Sequence, residues 1–208
     1  MKNFKSKLEN FWYYHKGATI LITIFVLSAV LLLSTKTETV VYDGSVSIIT
    51  SEYLSSKQFS FDDMIEGKIE DVNSDGIMSL GVNEYVISSE TDSTSQTNIN
   101  QIISSFSTGE TGLYIFDKAN LERFMVYDAF RPLDHFLPKE VLSERREAVK
   151  DGTAYAISLR GLGIAEKYGL ATDELYGAVI FDRPIEDTDE KTKKLSDNAI
   201  TLLFEFLK

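Results

Sequence analysis

Apolar residues are distributed along this chain in three ways, and each predicts a different kind of element. Near the N-terminus they run unbroken: residues 17–34, GATILITIFVLSAVLLLS, carry no charge and only the hydroxyls of Thr19, Thr23, Ser28 and Ser34. At a helical rise of about 1.5 Å per residue this run spans roughly 27 Å, close to the hydrocarbon thickness of a bilayer. Further along, short apolar and β-branched blocks predict buried strands at residues 45–50 (SVSIIT), 77–87, 113–116 (LYIF), 153–159 (TAYAISL) and 175–181 (LYGAVIF). Between them, apolar residues recur at helical spacing. Phe61, Met64, Ile65 and Ile69 predict a helix capped by Ser60, and Ile99, Ile102, Ile103 and Phe106 predict one beginning near Asn98. Leu195, Ala199, Leu202, Leu203 and Phe206 give the apolar face of a last helix from about Thr188, with Lys191, Lys193 and Lys194 opposite. Residues 88–98, SSETDSTSQTN, read as a mobile polar loop, and residues 118–150 as irregular helix broken by Pro132 and Pro138.

Strands alternating with helices predict an α/β domain around a mixed, mostly parallel sheet flanked by helices, preceded by a single N-terminal transmembrane helix. The expected organisation is a cytoplasmic basic tail (1–16), the transmembrane helix (17–34), a linker (35–44) and an extracytoplasmic α/β domain (45–208). Phe11, Trp12, Tyr13 and Tyr14 precede the apolar run, where amphipathic rings belong at a membrane interface. Lys2, Lys5, Lys7 and Lys16 stand against Glu9 in the first sixteen residues, leaving 31 acids and 17 bases beyond them. That asymmetry places the N-terminus in the cytoplasm and the folded domain outside the cell, held by one uncleaved anchor. Cleavage of a signal peptide is disfavoured by the length of the run and by the lack of an A-x-A pattern at its end.

Net charge and composition narrow the function. The chain of 208 residues carries a formal charge of -11 and contains no cysteine, so disulfides, thiolate metal sites and thiol nucleophiles are excluded. An acidic chain without a basic face is a poor ligand for nucleic acid. His15 and His135 are the two histidines; His135, expected to be partly buried in a loop, would have to serve any Ser-His-Asp device outside the membrane, and no G-x-S-x-G elbow accompanies it. Asp62, Asp63, Glu66 and Glu70 read as the solvated side of an amphipathic helix rather than as a carboxylate pair. Gly161 and Gly163 follow a strand, but Glu166 breaks a dinucleotide-binding fingerprint. Arg131, Arg145, Arg146, Arg160 and Arg183 are scattered, and one of them in a cleft would clamp a carboxylate.

The strongest local motif is Asp71, Asn73, Asp75, Gly76, Ile77 and Ser79. It matches the front half of a calcium loop, with side-chain oxygens at positions one, three and five, a glycine at six, the Ile77 carbonyl at seven and Ser79 at nine. Val82 stands where the bidentate acid belongs, so any calcium held there is held weakly. The same residues suit an Asx-rich turn between a helix and a strand, and that reading is preferred to a cation site. No other cofactor is expected.

FWYYHK followed by an apolar anchor, together with the D-x-N-x-D-G-x turn, resembles a group of single-pass membrane proteins of clostridia-like Gram-positive bacteria without an assigned activity. The segments LYIFDKANLERF, YAISL and AVIFDRP…AITLLFEFLK are similar to one lobe of an extracellular solute-binding protein. That resemblance implies a sheet edge and a cleft-lining loop, although residues 35–208 are too few for two lobes. The leading expectation is a membrane-anchored extracytoplasmic binding module with no catalytic site, whose partner is an envelope protein or a peptide. A degenerate solute-binding receptor or transport accessory for a small molecule comes second, and an envelope hydrolase using a carboxylate pair third.

Overall fold

A computed structural model of the chain describes residues 2–34, 42–53, 61, 65, 67–89, 91–108, 112–161, 174–180 and 190–207. The chain divides into two compact units, Met1–Val40 and Val41–Lys208.

The first unit is a helix, α1 (Lys2–Ser34). Within it Phe11–Val30, 20 residues of mean hydropathy 1.3, is long and apolar enough to cross a membrane, as an anchor or a signal sequence is. Two of its hydroxyls bond back to the helix: Thr19 donates to the His15 carbonyl at 3.0 Å and Thr23 to the Thr19 carbonyl at 2.8 Å. Each side chain thereby satisfies its polar group inside its own helix, as a lipid environment requires.

The second unit is built on one six-stranded sheet. In chain order its elements are β1 (Gly44–Thr50), β2 (Leu80–Val86), α2 (Ser93–Thr108), β3 (Leu113–Asp117), α3 (Lys118–Met125), α4 (Lys139–Arg145), β4 (Arg146–Lys150), β5 (Thr153–Ser158), β6 (Leu175–Val179) and α5 (Glu190–Phe206). The strands lie in the order β2-β1-β3-β6-β5-β4. β1 runs parallel to β2 and to β3, whereas the β3–β6, β6–β5 and β5–β4 pairs are antiparallel. The expected mostly parallel sheet is therefore corrected to a mixed sheet in which antiparallel pairing predominates. A tight connection accounts for one of the three antiparallel pairs: β4 and β5 are joined by Asp151-Gly152 with φ of 53° and 84°, both positive as a type I′ hairpin turn requires.

Period-two alternation sorts the central strands onto two buried faces. Val46, Ile48, Leu113, Ile115 and Val179 pack with Leu202, Leu203 and Phe206 of α5. Ile49, Tyr114, Phe116 and Ala178 pack with Ile102 of α2 and Leu121 and Phe124 of α3. Gly177 brings α5 close, because a Cβ there would stand 2.8 Å from the Leu203 side chain. Phe106, Phe116, Phe124 and Phe130 meet edge-on or tilted with ring centroids 5.6–5.9 Å apart, the geometry aromatic quadrupoles favour.

Several boundaries depart from expectation. Residues 93–98, expected in a loop, form the first turns of α2; Asp92 caps it by accepting the Ser95 N–H at 2.8 Å. Part of the stretch expected to be irregular helix is the strand β4, whose charges at Arg146, Glu147 and Lys150 hide it in an apolar-pattern reading. The linker ends sooner than predicted, since Asp43 is fully buried and Gly44 begins β1. The helix expected from Ser60 falls largely outside the described residues, but Phe61, Ile65 and Ile69 are buried in the core as its face requires.

Candidate functional site

The Asp71 turn is held by its own backbone. Asp71 accepts the Ser74 and Gly76 N–H groups at 2.6 and 2.8 Å, Asn73 accepts the Asp75 N–H at 2.9 Å, and Asp75 accepts the Ile77 N–H at 2.7 Å. Gly76 at φ 81° and Ser74 at φ 59° supply the left-handed residues of this turn. Ser79 is drawn elsewhere: its N–H and hydroxyl both donate to Asp43 Oδ2, at 2.8 and 3.1 Å. Four of the five candidate calcium residues thus share one turn, while the Ser79 hydroxyl serves Asp43. Among the described residues no three histidine, cysteine or acidic side chains are grouped as a metal would need.

The other candidates do not converge. His135 is exposed rather than partly buried. Arg131 lies 4.2 Å over the Phe136 ring and donates to Ser196, and Arg145 donates to the Arg160 carbonyl at 2.8 Å. Arg183, Gly163, Asp62, Asp63 and Glu66 lie outside the described residues.

A hollow forms where no sequence motif pointed. It measures about 490 Å³ and lies between α3, which contributes Leu121, Glu122 and Met125, and the edge strand β4, which contributes Glu147 to Lys150. Tyr176 of β6 also lines it. α3 owes its position to Asp117, whose carboxylate accepts the Asn120 N–H at 2.8 Å and the Ser51 N–H at 2.6 Å, tying the helix start to the end of β1. Leu121 and Phe124 then bury one face against the sheet, which turns Glu122 and Val126 outward. Val126 and Val149 are 75% and 48% exposed, an apolar pair left on the rim.

A second hollow of about 270 Å³, reaching Phe130, Pro132 and Tyr155, shares Met125, Asp128 and Lys150 with the first. Where the two meet, Lys150 Nζ stands 2.6 Å from Asp128 Oδ1. That contact raises the Lys150 pKa, through the hydrogen bond first and the Asp128 charge second. The backbone here is strained: Asp128 and Ala148 both have φ 48°, costing of order 1 kcal/mol each for residues with a Cβ. Tyr176 is buried, and its phenol pKa is pushed up by burial first and then by Glu147, Glu174 and Glu122, with Arg160 opposing.

Together these features form an open groove: a hollow within the 300–1,000 Å³ range of ligand sites, with an apolar lining, charged rims and strained backbone. Sequence reasoning missed it because its parts are far apart in the chain. The one visible signal was Val126, which extends the apolar stripe of Leu121 and Met125 beyond what α3 needs for packing. No family model, curated protein or solved structure matches the chain.

Proposed function

We propose that the protein is a non-catalytic binding module held to the cell membrane by α1, with its N-terminus in the cytoplasm and its α/β unit outside, and that the α3–β4 groove receives an extended segment of a peptide or envelope protein. The groove carries this proposal. It is elongated, since two hollows adjoin at the Asp128–Lys150 pair, and it runs beside an edge strand. Five residues, the charges of Arg146, Glu147 and Lys150, and the kink at Ala148 guard that edge against indiscriminate sheet pairing. Recognition therefore falls to the side-chain hollow rather than to added strand pairing. The α1 reading is supported by its apolar length and its self-satisfied threonines.

A small-molecule receptor is the second reading, favoured by the volume of the larger hollow. The two are separated by titrating the full chain in lipid nanodiscs with pools of neutral-flank pentapeptides, and separately with amino acids and sugars. Methyl signals of Met125, Val126 and Val149 report the groove. Peptide pools that shift these signals support the proposal; shifts from the small molecules alone replace it with the second reading.

A further inference from the structure

Taking the groove as a peptide-binding site, we infer that its occupant inserts a basic side chain, the cation of lysine or arginine on its aliphatic stem, between Val126 and Val149 and toward Glu122 and Glu147. The charges lining the larger hollow are unequally matched. Asp128 and Lys150 satisfy each other. Glu122 and Glu147 face the same hollow from opposite walls, one on α3 and one on β4, and among the described residues neither has an ion pair.

Lys118 also lines the hollow, one helical turn from Glu122, but it does not pair with it. Around Tyr176 three carboxylates, Glu122, Glu147 and Glu174, stand against Arg160. With Lys118 included, the site keeps an excess of negative charge beside an apolar wall and a tyrosine ring. An anionic occupant meets Glu122 and Glu147 across the hollow with Lys118 alone to favour it, and a neutral one leaves both carboxylates without a partner. A lysine or arginine uses every part: its methylenes cover the apolar wall, its charge meets the two carboxylates, and a cation is attracted to the face of a tyrosine.

The test uses the full chain in nanodiscs of zwitterionic lipid and pentapeptide pools with neutral randomised flanks. The central position is fixed as lysine, arginine, norleucine or glutamate, and the groove methyls are the readout. Lysine and arginine pools should half-saturate at about five-fold lower concentration than norleucine, the effect of two partly exposed charge contacts. The advantage should shrink at high salt. In a Glu122→Gln/Glu147→Gln variant, whose near-UV circular dichroism confirms its fold, the four pools should bind alike. Equal binding of norleucine and lysine by the unaltered protein overturns the basic-side-chain inference and leaves the peptide groove standing. A preference for glutamate also overturns it. Failure of every pool to shift the groove methyls overturns the peptide groove itself.

Discussion

Replacing Asp43 by alanine should cost the α/β unit about 3–4 kcal/mol. Asp43 has no exposed surface, and its carboxylate accepts the Val72 N–H at 2.7 Å and the Ser79 N–H and hydroxyl at 2.8 and 3.1 Å. Its carbonyl accepts from Asn198 Nδ2 at 2.7 Å, and the same Nδ2 donates to the Glu70 carbonyl at 2.8 Å. The start of β1, the Asp71 turn and α5 are therefore joined through two side chains. Each hydrogen bond to a carboxylate is worth roughly 1.5–3 kcal/mol, but three such bonds sharing one group are not additive. Val72 and Ser79 are also only half-buried, so water recovers part of the loss. Asp43→Asn keeps one acceptor and turns an N–H toward a donor, so its cost should be about 2 kcal/mol. The assay is urea unfolding of the full chain in detergent, followed by near-UV circular dichroism of the tyrosines. Tryptophan fluorescence is unsuitable because the single tryptophan, Trp12, lies in α1. A loss below about 1 kcal/mol for Asp43→Ala would show that the carboxylate does not hold these elements together.

Three further outcomes follow from the same structure. Ala148→Gly, which relieves a φ of 48°, should stabilise the unit by about 1 kcal/mol in the same assay, and a loss of stability would contradict the strain assigned to the groove. Tyr176 has a pKa raised above 10.0, so its contribution is whole below that pH and fades as pH climbs through the folded value; the melting temperature should fall there. Tyr176→Phe should flatten that fall, and an unchanged slope would refute the assignment. In calcium-free buffer Asp71→Ala should cost about 1 kcal/mol, because the Ser74 and Gly76 amides lose their acceptor. A variant that is neutral without calcium, set beside a parent chain that calcium stabilises, would show instead that a cation holds the turn.

Much of the architecture was legible because burial writes itself into periodicity. LYIF and LYGAV read as buried strands and are buried on both faces. Strand direction was not legible, since a doubly covered strand has the same apolar character whichever way it runs; β1 and β6 differ in pairing, yet both are almost wholly buried. Asp151-Gly152 was a readable hairpin signal, and it would have revealed β4, whose REAVK sequence lacks apolar alternation because the strand is an exposed edge. Residues 93–98 read as loop because serine and threonine are weak helix formers; the cap at Asp92 outweighs that propensity. The Asp71 turn was visible as a motif, though not the diversion of Ser79 to Asp43, which required the β1–β2 register. Apart from Val126 the groove left no mark in the sequence, because α3, β4 and β6 meet there only through the sheet order.

The most direct test of the groove is a matched pair of substitutions at opposite edges of the sheet. Val149→Arg places a bulky cation in the hollow, whereas Ile77→Arg makes the same change at a 69% exposed residue in the loop before β2. With the tightest-binding lysine peptide, methyl titration should show Val149→Arg weakening binding about ten-fold or more and Ile77→Arg leaving it within about two-fold. Equal affinity in the two variants, with both folded, would contradict a binding site between α3 and β4.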